Sequence, residues 1–355
     1  MREGAPFAVA GRPAATRVRG WVSALRALAP ALRLVLLALL VAVALVASVG
    51  LGAAGIPLRS VVEALSGGGD ATTRVIVLEL RLPRAILAAL VGGTLALTGA
   101  IFQVLLRNPL AEPYILGVSS GAAVGTVSAI ALGLTALGPW ALPLAAFAGA
   151  VLSITLVFRL GYAVGRSLDT RVLLLAGVVL GAFFNAIIVL LLTSIDAETF
   201  RSALLWMMGS LARANWASVA VLTAYLLPAT FLLLTLARPL DLLAAGEETA
   251  AYLGVRVDQL KWAAYLLASL AVAASVAVCG AIGFIGLIIP HALRLLWGSD
   301  HRFLLPASTL AGAAFLLVAD TVARTIVAPA ELPVGAVTAL VGVPVFVLLL
   351  TRRAG

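Results

Sequence analysis

The sequence predicts an all-α membrane protein with about ten transmembrane helices, and three observations lead there. Of its 355 residues, 63% are hydrophobic and 11% charged, where a soluble domain carries about 25% charged residues. The apolar residues gather into runs long enough to cross a hydrocarbon core of roughly 30 Å. One run, Trp262 to Leu293, holds no Asp, Glu, Lys or Arg, and as one helix it would measure about 48 Å. Gly280, Gly283, Gly286 and Pro290 fall inside it, so it must break into two membrane segments, one of them short. Broken helices at membrane depth persist only where protein or a cavity covers the freed backbone groups. That points to transport rather than passive anchoring.

The elements follow in order. Residues 1–33 form an Arg-rich cytoplasmic segment carrying Arg2, Arg12, Arg17, Arg19, Arg26 and Arg33. Val46-Ala47-Ser48 offers small residues for signal cleavage, but the charged region is too long and the apolar one too extended. Residues 34–54 are therefore read as the first span, opening a ten-helix domain over 34–355. The next spans are predicted at 85–106, 114–136, 140–164 and 172–194. Thr199 to Trp216 is too short and too flanked by charge to cross; it is expected at the outer interface, with Trp206 and Trp216 at headgroup depth. Spans at 217–237, 261–279, 282–297, 303–323 and 333–351 complete the set. Between the sixth and seventh lies the longest inside loop, Arg238 to Lys261, helix-prone between Gly246 and Gly254 with acids at its start.

Ten crossings place both termini on the same, cytoplasmic side, consistent with Arg352-Arg353 at the end of the chain. The positive charges then divide into 17 inside and 7 outside, as the positive-inside rule requires. The net charge of +9 comes from 23 arginines and one lysine, Lys261, set in short loops; it reads as topology rather than nucleic-acid binding. The lone Cys279 excludes an internal disulfide and a cysteine metal cluster. No Gly-x-x-x-x-Gly-Lys-Ser/Thr loop is present, so the chain does not hydrolyse ATP by that route.

An ion-coupled secondary transporter is the alternative reading. It would place an unpaired acid at mid-membrane, and Asp320 is the one acidic residue expected within a span, with Arg324 one turn on. An intramembrane enzyme would need a catalytic constellation, and His291 and His301 are expected near the inner side without paired acids. No catalytic residue and no metal ligand is assigned.

Four stretches carry a resemblance: Arg81-Leu-Pro-Arg84; Arg107-Asn-Pro-Leu-Ala-Glu-Pro113 with Leu116-Gly-Val-Ser-Ser-Gly121; Gly280-Ala-Ile-Gly-Phe-Ile-Gly-Leu-Ile-Ile-Pro-His291; and Glu331-Leu-Pro-Val-Gly335. In this order on a ten-helix frame they resemble the FecCD-type permeases of type II ABC importers, which carry cobalamin, haem or ferric siderophores. The resemblance spans almost the whole chain from about residue 34. It implies a multi-pass permease of a bacterial or archaeal cytoplasmic membrane, working as a homodimer or beside a paralogue. Two cytosolic ABC ATPase subunits would sit below, binding ATP and Mg, while this chain binds no cofactor. A periplasmic or lipid-anchored substrate-binding protein would dock outside, and no nucleic acid is involved.

The resemblance also implies residue roles. Arg81, Arg84 and Arg324 match arginines that meet acidic residues of the binding protein; the plain alternative is an Asp320–Arg324 pair at helical spacing. Gly246, Glu247, Glu248, Ala251, Tyr252, Leu253 and Gly254 fall where the family couples to its ATPase, or else form a solvated linker. Asn108 and Leu110, with Pro109 between them, and Asp169 and Thr170 match the cytoplasmic narrowing of the path. Their plain alternative is turn and helix-boundary chemistry.

Overall fold

A computed structural model describes residues 28–52, 54–165 and 169–351. Arg2, Arg12, Arg17, Arg19, Arg26, Arg352 and Arg353 lie outside the described residues. No strand occurs among those described, and the helices run α1 (Pro30–Gly50), α2 (Leu58–Leu65), α3 (Ala71–Leu105), α4 (Val118–Ala131), α5 (Ala141–Gly165) and α6 (Thr170–Leu192). They continue as α7 (Ala197–Met207), α8 (Trp216–Thr235), α9 (Ala237–Ala244), α10 (Glu247–Tyr252), α11 (Val257–Cys279), α12 (Ile285–Trp297), α13 (His301–Thr325) and α14 (Val334–Thr351). Seven of these are long and apolar enough to cross a membrane, and α4, α12 and α14 are shorter apolar helices. Together they match the ten predicted spans.

Side-chain caps start many of these helices. Asp70, Asp169, Asp196, Asn215 and Asp300 each accept a backbone N–H from the first turn of α3, α6, α7, α8 and α13. Hydrogen bonds from Thr199 hold the Asp196 carboxyl below the usual carboxylate range. The interfacial segment expected at 199–216 is α7 and the turn after it.

The centre of the fold is α3, flanked by α13, α12, α11, α8 and α1. Within its apolar window 83% of residues are buried, against 22% for α1 and 28% for α6; α3 is enclosed by protein, while the other two show apolar faces outward. Contact with α13 is close because both helices carry glycine at the crossing. A Cβ on Gly92 would collide with the backbone of Gly312, and one on Gly312 with Gly92.

The sequence expectation for α3 needs correction at its outer end. The helix begins at Ala71 rather than near residue 85, so Arg81 and Arg84 lie within it. Pro83 suggests a helix start, but Val75–Arg81 winds as a π-helix, with Leu82 N–H donating to the carbonyl of Val77. In that register Pro83 would be the donor to Leu78 and has no N–H to give. Trp216 Nε1–H supplies that bond at 3.0 Å.

The expected break separates α11 from α12. Gly280 and Phe284 both adopt left-handed backbone, with φ 69° and 70°. The freed groups are met by the turn after α3. Tyr114 O–H donates to the Ile282 carbonyl and its oxygen accepts the Ile282 N–H, both at 3.0 Å. Glu112 Oε1 accepts the Phe284 N–H at 2.5 Å, and Ser210 N–H donates to the Cys279 carbonyl at 2.8 Å. Beyond the break α12 is 13 residues long, roughly 20 Å at helical rise: the short segment the run predicted.

Tyr114→Phe removes both contacts to Ile282 while keeping the ring. Leaving a buried backbone pair unmet should cost about 1–3 kcal/mol, read as a lower thermal midpoint of the purified permease. An unchanged midpoint would show that the break is held without Tyr114.

Candidate functional site

Two charged constellations lie at opposite ends of the helices. At the outer end, Arg84 is the hub. Its Nε and Nη2 grip Asp320 in α13 at 3.0 and 2.9 Å, and its Nη1 meets Glu331 at 2.9 Å. Asp320 has no solvent exposure. Arg324 stands 3.4 Å from the same carboxylate and donates from Nη2 to the carbonyl and the hydroxyl of Ser48 at the end of α1. Arg81 donates to the carbonyls of Val49, Gly50 and Ala54, at 3.1, 2.9 and 2.5 Å. Its guanidinium has carbonyl partners but no carboxylate, so three cations share two anions and the cluster keeps one net positive charge. Arg81, Arg84, Arg324 and Glu331 line an outer cavity of about 360 Å³.

The structure thus brings together the three arginines singled out in the sequence, but does not display them on the surface. Arg81 and Arg324 are each 5% exposed, and their hydrogen bonds tie the end of α1 to α3 and α13. The Asp320–Arg324 pair at helical spacing exists. The stronger partner of Asp320 is Arg84, two-pronged and 236 residues away. Ser48 gave no sequence signal.

At the inner end, α9 and α10 form an elbow hinged at Gly246, whose φ is 134°. Of the residues assigned here, Glu248, Ala251, Tyr252, Leu253 and Gly254 are exposed, with Tyr252 at 88% and Leu253 at 61%. Such apolar display at the end of a short helix is suited to a partner. Glu247 behaves differently: its carboxylate turns back to Lys261 of α11 at 2.7 Å and to Arg107 at 3.4 Å.

The turn after α3 and the start of α6 carry the other inner residues. Asn108 Oδ1 accepts the Leu110 N–H at 2.9 Å, Asp169 Oδ1 accepts the Arg171 N–H at 2.7 Å, and Thr170 Oγ1 donates to the Leu105 carbonyl at 3.2 Å. Asn108 and Asp169 thus do turn and cap chemistry, and Thr170 binds the start of α6 to the end of α3. Leu110 stays free at the tip, 42% exposed.

The histidines depart in part from expectation. His291 is buried with its ring edge-on to Phe346. His301 does have an acidic partner, contrary to the sequence reading: its Nδ1 lies 2.5 Å from Asp241 Oδ1 in α9. Helix α9 brings Asp241 beneath the start of α13, a contact across 60 residues. Among the described residues no group of three or more His, Cys, Asp or Glu could hold a metal ion.

The model of the FecCD transport family matches residues 39–352. The chain belongs to that family. Among its relatives, the hemin transport system permease protein HmuU of Yersinia pestis is 42% identical over 333 residues, covering 91% of this chain and 96% of that protein. The vitamin B12 import system permease protein BtuC of Salmonella typhi is 44% identical over 285 residues, 80% and 86% of the two chains. A solved ABC transporter assigned to the metal-chelate type, in an inward-facing conformation, superposes with a TM-score of 0.80 at 35% identity, covering 90% of this chain and 98% of its own. This FecCD protein is therefore the permease component of an ABC transporter and a multi-pass protein of the cytoplasmic membrane.

Removing the anion at the centre of the outer cluster should be severe. Asp320→Asn leaves Arg84 and Arg324 with only the part-exposed Glu331 as counter-charge, a loss of about 3–5 kcal/mol for a broken buried pair, read as a fall in folded yield and thermal midpoint. Arg59→Ala removes the Arg59–Glu63 pair, whose arginine is 90% exposed, and should leave both unchanged. Equal effects from the two variants would refute the structural ranking of these ion pairs.

Proposed function

We propose that this permease imports a large metal chelate (haem, cobalamin or a ferric siderophore) by alternating access. A loaded binding protein docks at the outer face, two cytosolic ATPases bind at the inner face, and the path runs between this chain and a second permease copy or paralogue. The observation that carries the reading is the pairing of two interaction surfaces at opposite ends of one enclosed helix core: a net-positive cavity outside and the exposed Tyr252–Leu253 tip inside. The names of the haemin and vitamin B12 permeases supply the cargo class.

Each surface suits its proposed partner. The outer cavity has one uncompensated guanidinium charge, so a carboxylate side chain of a binding protein would complete it, with opposite charge speeding encounter and fixing register. The α10 tip offers shape and apolar area to a groove in the ATPase, with Glu248 beside it. Leu110 and the Asn108 turn, near the start of α6 at Asp169 and Thr170, form the inner constriction. ATP and Mg belong to the ATPase. Ion-coupled transport is less well supported, because Asp320 is committed to Arg84 and Arg324 rather than left unpaired to bind an ion.

The deciding experiment reconstitutes the permease with its cognate ATPase and binding protein, and follows ATP hydrolysis and uptake with haemin, cobalamin and ferric siderophores in turn. Stimulated hydrolysis with uptake of one chelate supports the proposal and names the cargo. Uptake that persists without ATP and collapses on dissipating the ion gradient would replace it with secondary transport. In the same system, Arg81→Gln should weaken binding-protein docking by roughly tenfold at low salt and by less at high salt; equal affinity at both salts would remove the outer cluster from the docking surface.

A further inference from the structure

The carboxylate of Glu247 holds two cations from two different elements, and one belongs to the turn that carries Leu110. Lys261, the only lysine in the chain, is 5% exposed with its Nζ at 2.7 Å. Arg107 is half-exposed and its Nη2 lies at 3.4 Å. One arm is short and its cation is buried; the other is longer and its cation is open to solvent.

The residue at the far end of the open arm is fixed in an unusual way. Arg107 has φ 46°, left-handed backbone seldom adopted by a residue with a side chain. It closes α3 where glycine is the common choice: its N–H donates to the Val104 carbonyl at 3.0 Å, and the next N–H, of Asn108, to Gln103 at 3.1 Å. The chain then turns through Asn108 and Leu110 to Ala111, whose N–H donates to the Asn108 carbonyl at 3.0 Å. Gln103 Nε2 donates to the Ala111 carbonyl at 3.4 Å and to Gly286 in α12 at 3.1 Å. Residues 107–111 are thus one internally bonded unit, and its charged grip on α10 is Arg107.

We propose that Glu247 is a positioning residue that joins the ATPase-facing helix α10 to the Leu110 turn through Arg107, so that movement of α10 is delivered directly to the inner constriction. Lys261 anchors Glu247 to α11 and sets the pivot; Arg107 is the arm that transmits. The inference rests on the proposed contact of α10 with the ATPase and the proposed constriction at Leu110.

The test uses the permease–ATPase complex in nanodiscs, with Cys279→Ala removing the native thiol and Leu110→Cys reporting on the turn. A membrane-impermeant maleimide is the probe, and its labelling rate is compared between nucleotide-free and ATP–vanadate-trapped complex. With the bridge intact the rate should change by at least about fivefold on trapping, the lower end of ordinary coupling between sites. Arg107→Gln should abolish that change while assembly and ATP hydrolysis persist, and Arg107→Lys should restore most of it. Because Glu247→Gln alone would strand a buried ammonium, Glu247→Gln is paired with Lys261→Met, and this double variant should also lose the response. A rate insensitive to nucleotide with the bridge intact, or one that still responds in Arg107→Gln to within twofold of the intact complex, overturns the proposal. Failure of the underlying reading is seen separately, by co-purification: Tyr252→Ala with Leu253→Ala would then leave ATPase assembly unaltered.

Discussion

The backbone freed between Cys279 and Ile285 is the constraint on which the rest depends. A helix broken inside a membrane leaves N–H and C=O groups with no water to receive them, so another part of the chain must. Here the turn after α3 does it: Glu112 and Tyr114 reach the N–H and C=O groups at Phe284 and Ile282. This fixes the start of α12 against α3, and Gln103 repeats the tie one turn deeper through Gly286 and Leu287. The same turn carries Asn108 and Leu110, so the element that repairs the break also holds the residues proposed for the inner constriction. Two sequence stretches about 170 residues apart therefore read as one structural unit.

Burying charge imposes the same rule on side chains. Asp320 is enclosed, yet it sits between two guanidinium groups, one of them two-pronged. Lys261 is enclosed, yet Glu247 meets it at 2.7 Å. A desolvated ion is tolerated only when a partner of opposite charge and good geometry replaces its water. Each of these pairs also joins elements far apart in sequence, so satisfying the ion and positioning the helices are one event. Arg81 follows the rule in weaker form, exchanging hydration for three backbone carbonyls at the end of α1.

Span positions and the break were legible because they depend on local composition: an apolar run of sufficient length, or three glycines and a proline inside one. The family was legible for a related reason, as three of its four motifs fall at a turn or break rich in glycine or proline. What stayed hidden depends on pairing across distance. Pro83 looks like the start of a helix, yet a π segment precedes it and Trp216 donates to the Leu78 carbonyl that Pro83 cannot serve. Arg81 and Arg324 look like exposed charges because sequence does not reveal Ser48 and the α1 carbonyls arriving around them. Glu247 and Glu248 are adjacent and chemically identical, yet one turns inward to Lys261 and the other outward; only the position of α11 separates them. Asp241 beneath His301 belongs to the same class.

The two charged constellations differ in how firmly they are held, and the difference follows from burial. Outside, the carboxylate at the centre is fully enclosed and Arg84 is 12% exposed, so Coulomb attraction is little screened and the cluster behaves as a fixed strut. Inside, only the Lys261 ammonium is enclosed, its partner Glu247 being 40% exposed, and the Arg107–Glu247 arm has both side chains at 40% exposure or more, where water and salt reduce an ion pair to a fraction of its buried strength. Such a gradient would suit the proposed alternating-access cycle, in which the inner end moves while the outer helices stay assembled. The outer strut ties α1, α3 and α13 together, whereas the joint between α10 and the Leu110 turn is solvated. The asymmetry between Arg84 and Arg107 therefore lies in burial: one is locked into the helix core, the other sits at a solvated joint.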